Sequence, residues 1–175
     1  FRSGKAAVKA LVLAVAWWTL EAGSALGFSS SWTVYTNPRF GYTVDVPADF
    51  SASEAPENND GRTFAPPGRQ GSVAVYGSFN ALGHSPEDHR EWLKEGFASA
   101  GGKARVTYEA TGKNWCVLSG FTAEGAIFYQ RVRFSADGDT LIAVHFVYPE
   151  EDKEEWDPVV ERMGKTLRFV DAEGN

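Results

Sequence analysis

Between residues 105 and 148 the chain reads as four strands separated by short turn signals, and no other feature restricts its fold as much. Arg105 to Ala110, Asn114 to Ala123, Ala126 to Ser135 and Thr140 to Tyr148 are rich in β-branched and aromatic residues, which suit a pleated surface. Thr111-Gly112, Glu124-Gly125 and Asp137-Gly138 have the chemistry of two-residue connections. Connections that short join antiparallel neighbours, so these strands form a meander.

The residues upstream extend the same theme. Thr33 to Thr36 and Tyr42 to Val46 read as strands, with Asn37-Pro38-Arg39-Phe40-Gly41 as the turn and Pro47 as the stop. The polar stretch Ala48 to Gly61 reads as a loop anchored by Phe50. Arg62 to Ala65 and Ser72 to Phe79 are two further strands. Ser85-Pro86-Glu87-Asp88 opens a helix: Ser caps, Pro suits the first helical position, and the acids face the positive end of the helix dipole. His89, Trp92, Leu93, Phe97 and Ala100 follow at helical spacing, up to Gly101-Gly102. After Pro149 the segment Glu150 to Trp156 is acidic and helix-prone. Asp157-Pro158 then reads as the start of a last helix, with Val160, Met163 and Leu167 as its buried stripe. The fold class is α+β: a twisted antiparallel sheet of about six strands, packed by two or three helices. The content of 43% hydrophobic and 14% aromatic residues is enough for one core, so residues 28–175 read as a single domain.

Residues 1–27 read differently. Arg2, Lys5 and Lys9 precede an uncharged apolar run from Ala10 to Leu20, and Ala22 to Gly27 is small and cleavable. That order is a secretory signal peptide, with the cut after Gly27 and export to the periplasm or beyond. Eleven apolar residues are too few to span a bilayer, so no stable membrane insertion is expected after cleavage. Cleavage leaves 14 basic and 22 acidic residues, a net charge of −8, which disfavours nucleic acid and anionic lipid. Cys116 is the one cysteine, so no internal disulfide forms, and its apolar setting predicts a buried inert thiol.

The run Trp32-Thr33-Val34-Tyr35-Thr36-Asn37, followed by Phe40-Gly41-Tyr42-Thr43-Val44-Asp45-Val46-Pro47-Ala48-Asp49-Phe50, resembles the entry to PsbP-like domains. The remainder is similar to uncharacterised exported proteins of Gram-negative bacteria, notably at Pro56 to Arg62, Tyr148-Pro149 and Asp157 to Met163. The resemblance spans most of residues 32–168 and implies an antiparallel sheet between helices. It also implies an accessory or assembly module without a shared active site, so it transfers no functional residue.

The chain carries no G-x-S-x-G elbow, H-E-x-x-H pair, C-x-x-C pair, P-loop or dinucleotide fingerprint. No catalytic set, cofactor or metal is therefore expected. Two-residue turns would bring Ser119, Gln130 and His145 into one polar row on an apolar sheet face. Such a row is either a hydrogen-bonded core network or the floor of a ligand pocket, with His145 as the titratable group. The same register places Arg105, Arg131 and Arg133 on the opposite face, where acids of a covering helix are expected to pair with them. The other reading is a site for an external anion or an acidic partner segment. The chain thus reads as an exported, non-enzymatic accessory or protein-binding module with another periplasmic protein as partner. The alternative is a small-ligand-binding protein or hydrolase-like enzyme using Ser119, Gln130 and His145.

Overall fold

The computed structural model describes residues 27–99 and 104–170; the leader reading on residues 1–26 and the helix stop at Gly101-Gly102 lie outside the described residues. In chain order the elements are β1 (Trp32–Asn37), β2 (Tyr42–Pro47), β3 (Ser51–Ala52), β4 (Gly61–Ala65), β5 (Ser72–Phe79) and α1 (Pro86–Ser99). There follow β6 (Arg105–Gly112), β7 (Trp115–Phe121), β8 (Ile127–Phe134), β9 (Thr140–Tyr148), a 3-10 turn (Glu150–Asp152), α2 (Lys153–Thr166) and β10 (Arg168–Phe169). The fold is α+β, with antiparallel strand pairing throughout.

The expected single sheet is in fact two. A seven-stranded sheet has the order β3-β4-β5-β9-β8-β7-β6, and a three-stranded sheet has the order β1-β2-β10. The small sheet and α2 lie together on one face of the large one. There they enclose a core of Tyr42, Val44, Val73, Val75, Ile142, Val144, Phe146, Trp156 and Met163. Trp156 stands at its centre, fully buried. Tyr148 stacks on it at 5.1 Å, while Phe28, Phe50 and Phe146 meet it edge-on. Gly71 lets it in: its φ of 101° favours glycine, and a Cβ there would lie 2.7 Å from the indole.

Trp156 also explains a difference at the last helix. Asp157-Pro158 does not start it, because α2 begins at Lys153 and Pro158 lies within it. Asp157 instead pairs with Lys153 one turn earlier. A helix running continuously through the proline keeps Trp156, Val159 and Met163 on one buried stripe, and that burial outweighs one missing backbone hydrogen bond.

The meander is present, but two of its three turns differ from those expected, the first in position and the second in length. Thr111 and Gly112 belong to β6, and Lys113-Asn114 make the turn, since Gly112 pairs with Trp115. At the next connection Thr122 and Ala126 still bond, leaving Ala123-Glu124-Gly125 as a three-residue loop with Gly125 at φ 85°. The third turn keeps the register expected for Asp137-Gly138. A bulge between Val106 and Tyr108 shifts β6 once more.

Candidate functional site

The face of the large sheet away from α2 carries α1, and α1 sits lightly on it. Its start is built as the sequence implies. The Ser85 hydroxyl accepts from the Asp88 backbone N–H at 3.2 Å, and the Asp88 carboxylate accepts from the Ser85 N–H at 3.2 Å. The helix is tied to β6 by Arg90 donating to Thr111 at 2.9 Å and by Lys94 bridging to Glu109 at 3.0 Å. Not one residue of α1 is fully buried.

Held towards β6 and β7, α1 leaves the β5–β9 part of this face uncovered, and two adjoining hollows open there. The first, of about 310 Å³, lies over Val132, Leu141 and Ala143 and is lined by Phe79, Leu82, His84 and His89. The second, of about 400 Å³, is lined by Ala74, Gly96, Phe97, Gln130 and His145. Tyr76, Trp92 and Leu93 border both. The rim is strongly apolar: Phe79 is 66%, Leu82 65% and Trp92 50% exposed.

All three histidines of the chain line this groove. His84, His89 and Trp92 form a ring cluster, with His84 and His89 centroids 5.8 Å apart. Burial, helped by the neighbouring His84, pushes His89 down to about 4. Burial also pushes His145 down, and Phe97 stacks on its ring at 5.9 Å. Gln130 is buried and donates to the Tyr76 hydroxyl at 2.8 Å. Burial raises the Tyr76 phenol above its ordinary range.

The expected polar row is therefore half right in its geometry. Gln130 does pair with His145 across β8 and β9. Ser119 pairs with Tyr129, while Leu118 takes the place opposite Gln130. The three-residue loop shifts the register by one and turns Ser119 to the other face, where its hydroxyl donates to the Phe128 carbonyl at 2.9 Å. Tyr76 is the true third member. Turn chemistry could not find it, because the β5–β9 pairing is long-range and no short turn sets it. Cys116 is fully buried, and burial pushes its thiol up to about 11.

The arginines share the α2 face, though not as one cluster. Arg131 lies opposite Val117 and Arg133 opposite Trp115, whereas Arg105 pairs with Phe121. The bulge and the loop slip cancel in facing but not in position, so Arg105 sits about 13 Å along the strand from Arg131. Its guanidinium lies over the Phe121 ring at 5.1 Å. That of Arg131 lies over Trp115 at 4.9 Å. The expected helix acids do not neutralise this face: among the described residues neither Arg131 nor Arg133 has a carboxylate within 4.0 Å or a hydrogen-bond acceptor for its buried Nε. Three of the four acids of α2 are used elsewhere: Glu155 on Arg69, Asp157 on Lys153 and Glu161 on Lys165.

No protein-family model matches the sequence, and no curated protein matches it. Solved structures do. Cyanobacterial PsbP (CyanoP) from Synechocystis sp. PCC 6803 superposes with a TM-score of 0.62 at 14% identity, over 86% of this chain and 99% of that one. The fold is PsbP-like. The Saccharomyces cerevisiae Ran-binding protein Mog1p superposes with a TM-score of 0.61 at 11% identity, over 81% of this chain and 96% of that one. In this PsbP-like fold the residues that carried the sequence resemblance are packing residues. Phe40 lies against Gly77 and Phe79, Tyr42 and Val44 are buried, and Phe50 meets Trp156.

Proposed function

We propose that this PsbP-like domain is an exported, non-enzymatic accessory module of the periplasm that grips an apolar segment of another exported protein. The grip is the groove between α1 and β5. The observation that carries this reading is the exposure of Phe79, Leu82 and Trp92 around one concavity, since contiguous apolar surface on a soluble domain marks interaction sites. Export is supported by the basic, apolar and small-residue order of residues 1–27. A protein as partner is supported by the fold neighbour Mog1p, which is a Ran-binding protein. Among the described residues no helix is long and apolar enough to cross a membrane.

Site-specific photo-crosslinkers at positions 79, 92 and, as the control, 154 test the reading in periplasm. One discrete partner should be trapped from 79 and 92 but not from 154, on the exposed start of α2 on the opposite side. The purified partner should then bind the parent domain and lose at least tenfold affinity to Trp92→Ser. Equal trapping from all three positions, or unchanged affinity in the variant, would refute it.

A second reading has its own observation, the hollow of about 400 Å³ in which Gln130, His145 and Tyr76 are the polar groups on an otherwise apolar lining. That composition suits a small apolar ligand with one polar end. Native mass spectrometry of periplasmic material would show a bound mass, lost in Gln130→Leu. With Ser119 on the other face, this reading contains no hydrolase-like nucleophile.

A further inference from the structure

β8 is an inner strand, yet two successive positions on one of its faces are arginine. Two glycines and a tryptophan shape the space for Arg131. Its stem passes the last turn of α2 at Gly164, where a Cβ would stand 3.6 Å from the Arg131 Cδ. Its guanidinium lies over Trp115. Trp115 in turn lies flat on the edge strand at Gly112, where a Cβ would be 2.2 Å from the indole nitrogen. Arg131 is thus held in one position by packing, with no carboxylate among the described residues. Arg133 stands beside it in the same condition.

The chain holds 23 acids against 17 bases, and among the described bases without a carboxylate within 4.0 Å, Arg131 and Arg133 are the two whose Nε is also buried without an acceptor. Elsewhere Arg69, Arg90, Lys94, Lys153, Arg162 and Lys165 all have acidic partners. Two like charges side by side repel, and burial together with the Arg131 charge pushes Arg133 down from its ordinary range. An incoming anion that bonds the outer guanidinium nitrogens removes that repulsion.

We propose that this face is a second binding surface, which receives an extended acidic segment of a partner protein with carboxylates at alternate positions. The spacing selects the ligand. Arg131 and Arg133 are two residues apart on one strand, about 7 Å, which is also the repeat of same-side residues in an extended peptide. The surroundings select a polypeptide over a free anion. Tyr108 is 57% exposed one row along the same face, and Trp115 and Phe121 are half-buried beside it. Arginine set among aromatics is the composition of binding hot spots. The surface is on the opposite side of the sheet from the α1 groove, so it stands or falls separately.

The arginine Nε–H resonances of the isotope-labelled domain give a direct readout. The probe is an acetylated, amidated peptide alternating Glu with Val and Tyr; the controls are its Gln counterpart and inorganic phosphate. The Arg131 and Arg133 signals should move with the Glu peptide and stay still with the Gln peptide. Arg131→Gln should weaken binding at least tenfold and Arg105→Gln less than twofold. Phosphate shifting both signals as strongly as the peptide would overturn the proposal in favour of a free-anion site, and silence of both signals would overturn it outright. A third overturning result involves this chain's own Asp171 and Glu173. If Asp171→Asn with Glu173→Gln moves the two signals without peptide, the face is already filled in cis.

Discussion

The two faces of the seven-stranded sheet are built to different standards. On one, α2 and the small sheet bury Trp156, Val159, Met163 and Leu167 almost completely against Val73, Val75, Ile142, Val144 and Phe146. On the other, α1 buries no residue fully, and the smaller core consists of Cys116, Val132, Phe134, Leu141 and Ala143 with Tyr76 and Leu93 packed against it. One face therefore carries the stability, and the other keeps a helix whose inner side and flanking hollows are available to a partner. Regions with few buried apolar contacts open at lower free energy, so the contrast is also one of dynamics.

The largest test of this contrast is truncation on each side. Trp156→Ala should cost about 3–5 kcal/mol, whereas Leu93→Ala on α1 should cost about 1 kcal/mol. Urea unfolding of both variants measures the pair, and equal losses would erase the distinction. Next comes the α1 cap. Ser85→Ala should cost about 1 kcal/mol by removing the hydroxyl that accepts from the Asp88 N–H and donates to the Asp88 carboxylate, with α1 amides exchanging faster while those of α2 are unchanged.

The pH dependence should belong to the α1 face. His89 is held neutral with its pKa lowered to about 4, against about 6.5 in an unfolded chain. As pH falls below about 6.5, the unfolded chain takes up the proton first. This contribution is therefore whole above pH 6.5 and is lost progressively as the pH approaches 4. The buried His145 acts in the same direction. His89→Gln should flatten the fall in unfolding midpoint across that window, and an unchanged slope would place the acid sensitivity elsewhere. The smallest effect is at Trp92, half exposed on the groove rim. Trp92→Ser should change stability by no more than about 0.5 kcal/mol while abolishing capture of the groove partner, which binding and unfolding on one sample would show.

How far the site was readable depended on what set each register. Asp137-Gly138 centres its turn where the sequence indicated, so Gln130 and His145 met as expected. At Glu124-Gly125 one additional loop residue moved Ser119 through the sheet and broke the proposed row, because side chains alternate with a period of two. Tyr76 and the hollows were beyond reach, since β5 meets β9 across more than sixty residues of chain. The helix cap was legible because its donors and acceptors lie within three residues of one another.

The sequence by itself determined the α+β class, the eight longer strands though not the two-residue β3 and β10, the Ser85 helix start and the buried state of Cys116. Local turn chemistry, alternation and capping are enough for these, since each depends on near neighbours. Only the tertiary structure decided that β1 and β2 leave the main sheet, that α2 runs through Pro158, and that Arg131 and Arg133 have no acids among the described residues. Each of these is settled by what lies opposite in space. The large apolar burial around Trp156 outweighs a local proline signal, and a carboxylate neutralises an arginine only if the chain's path brings it within hydrogen-bonding reach.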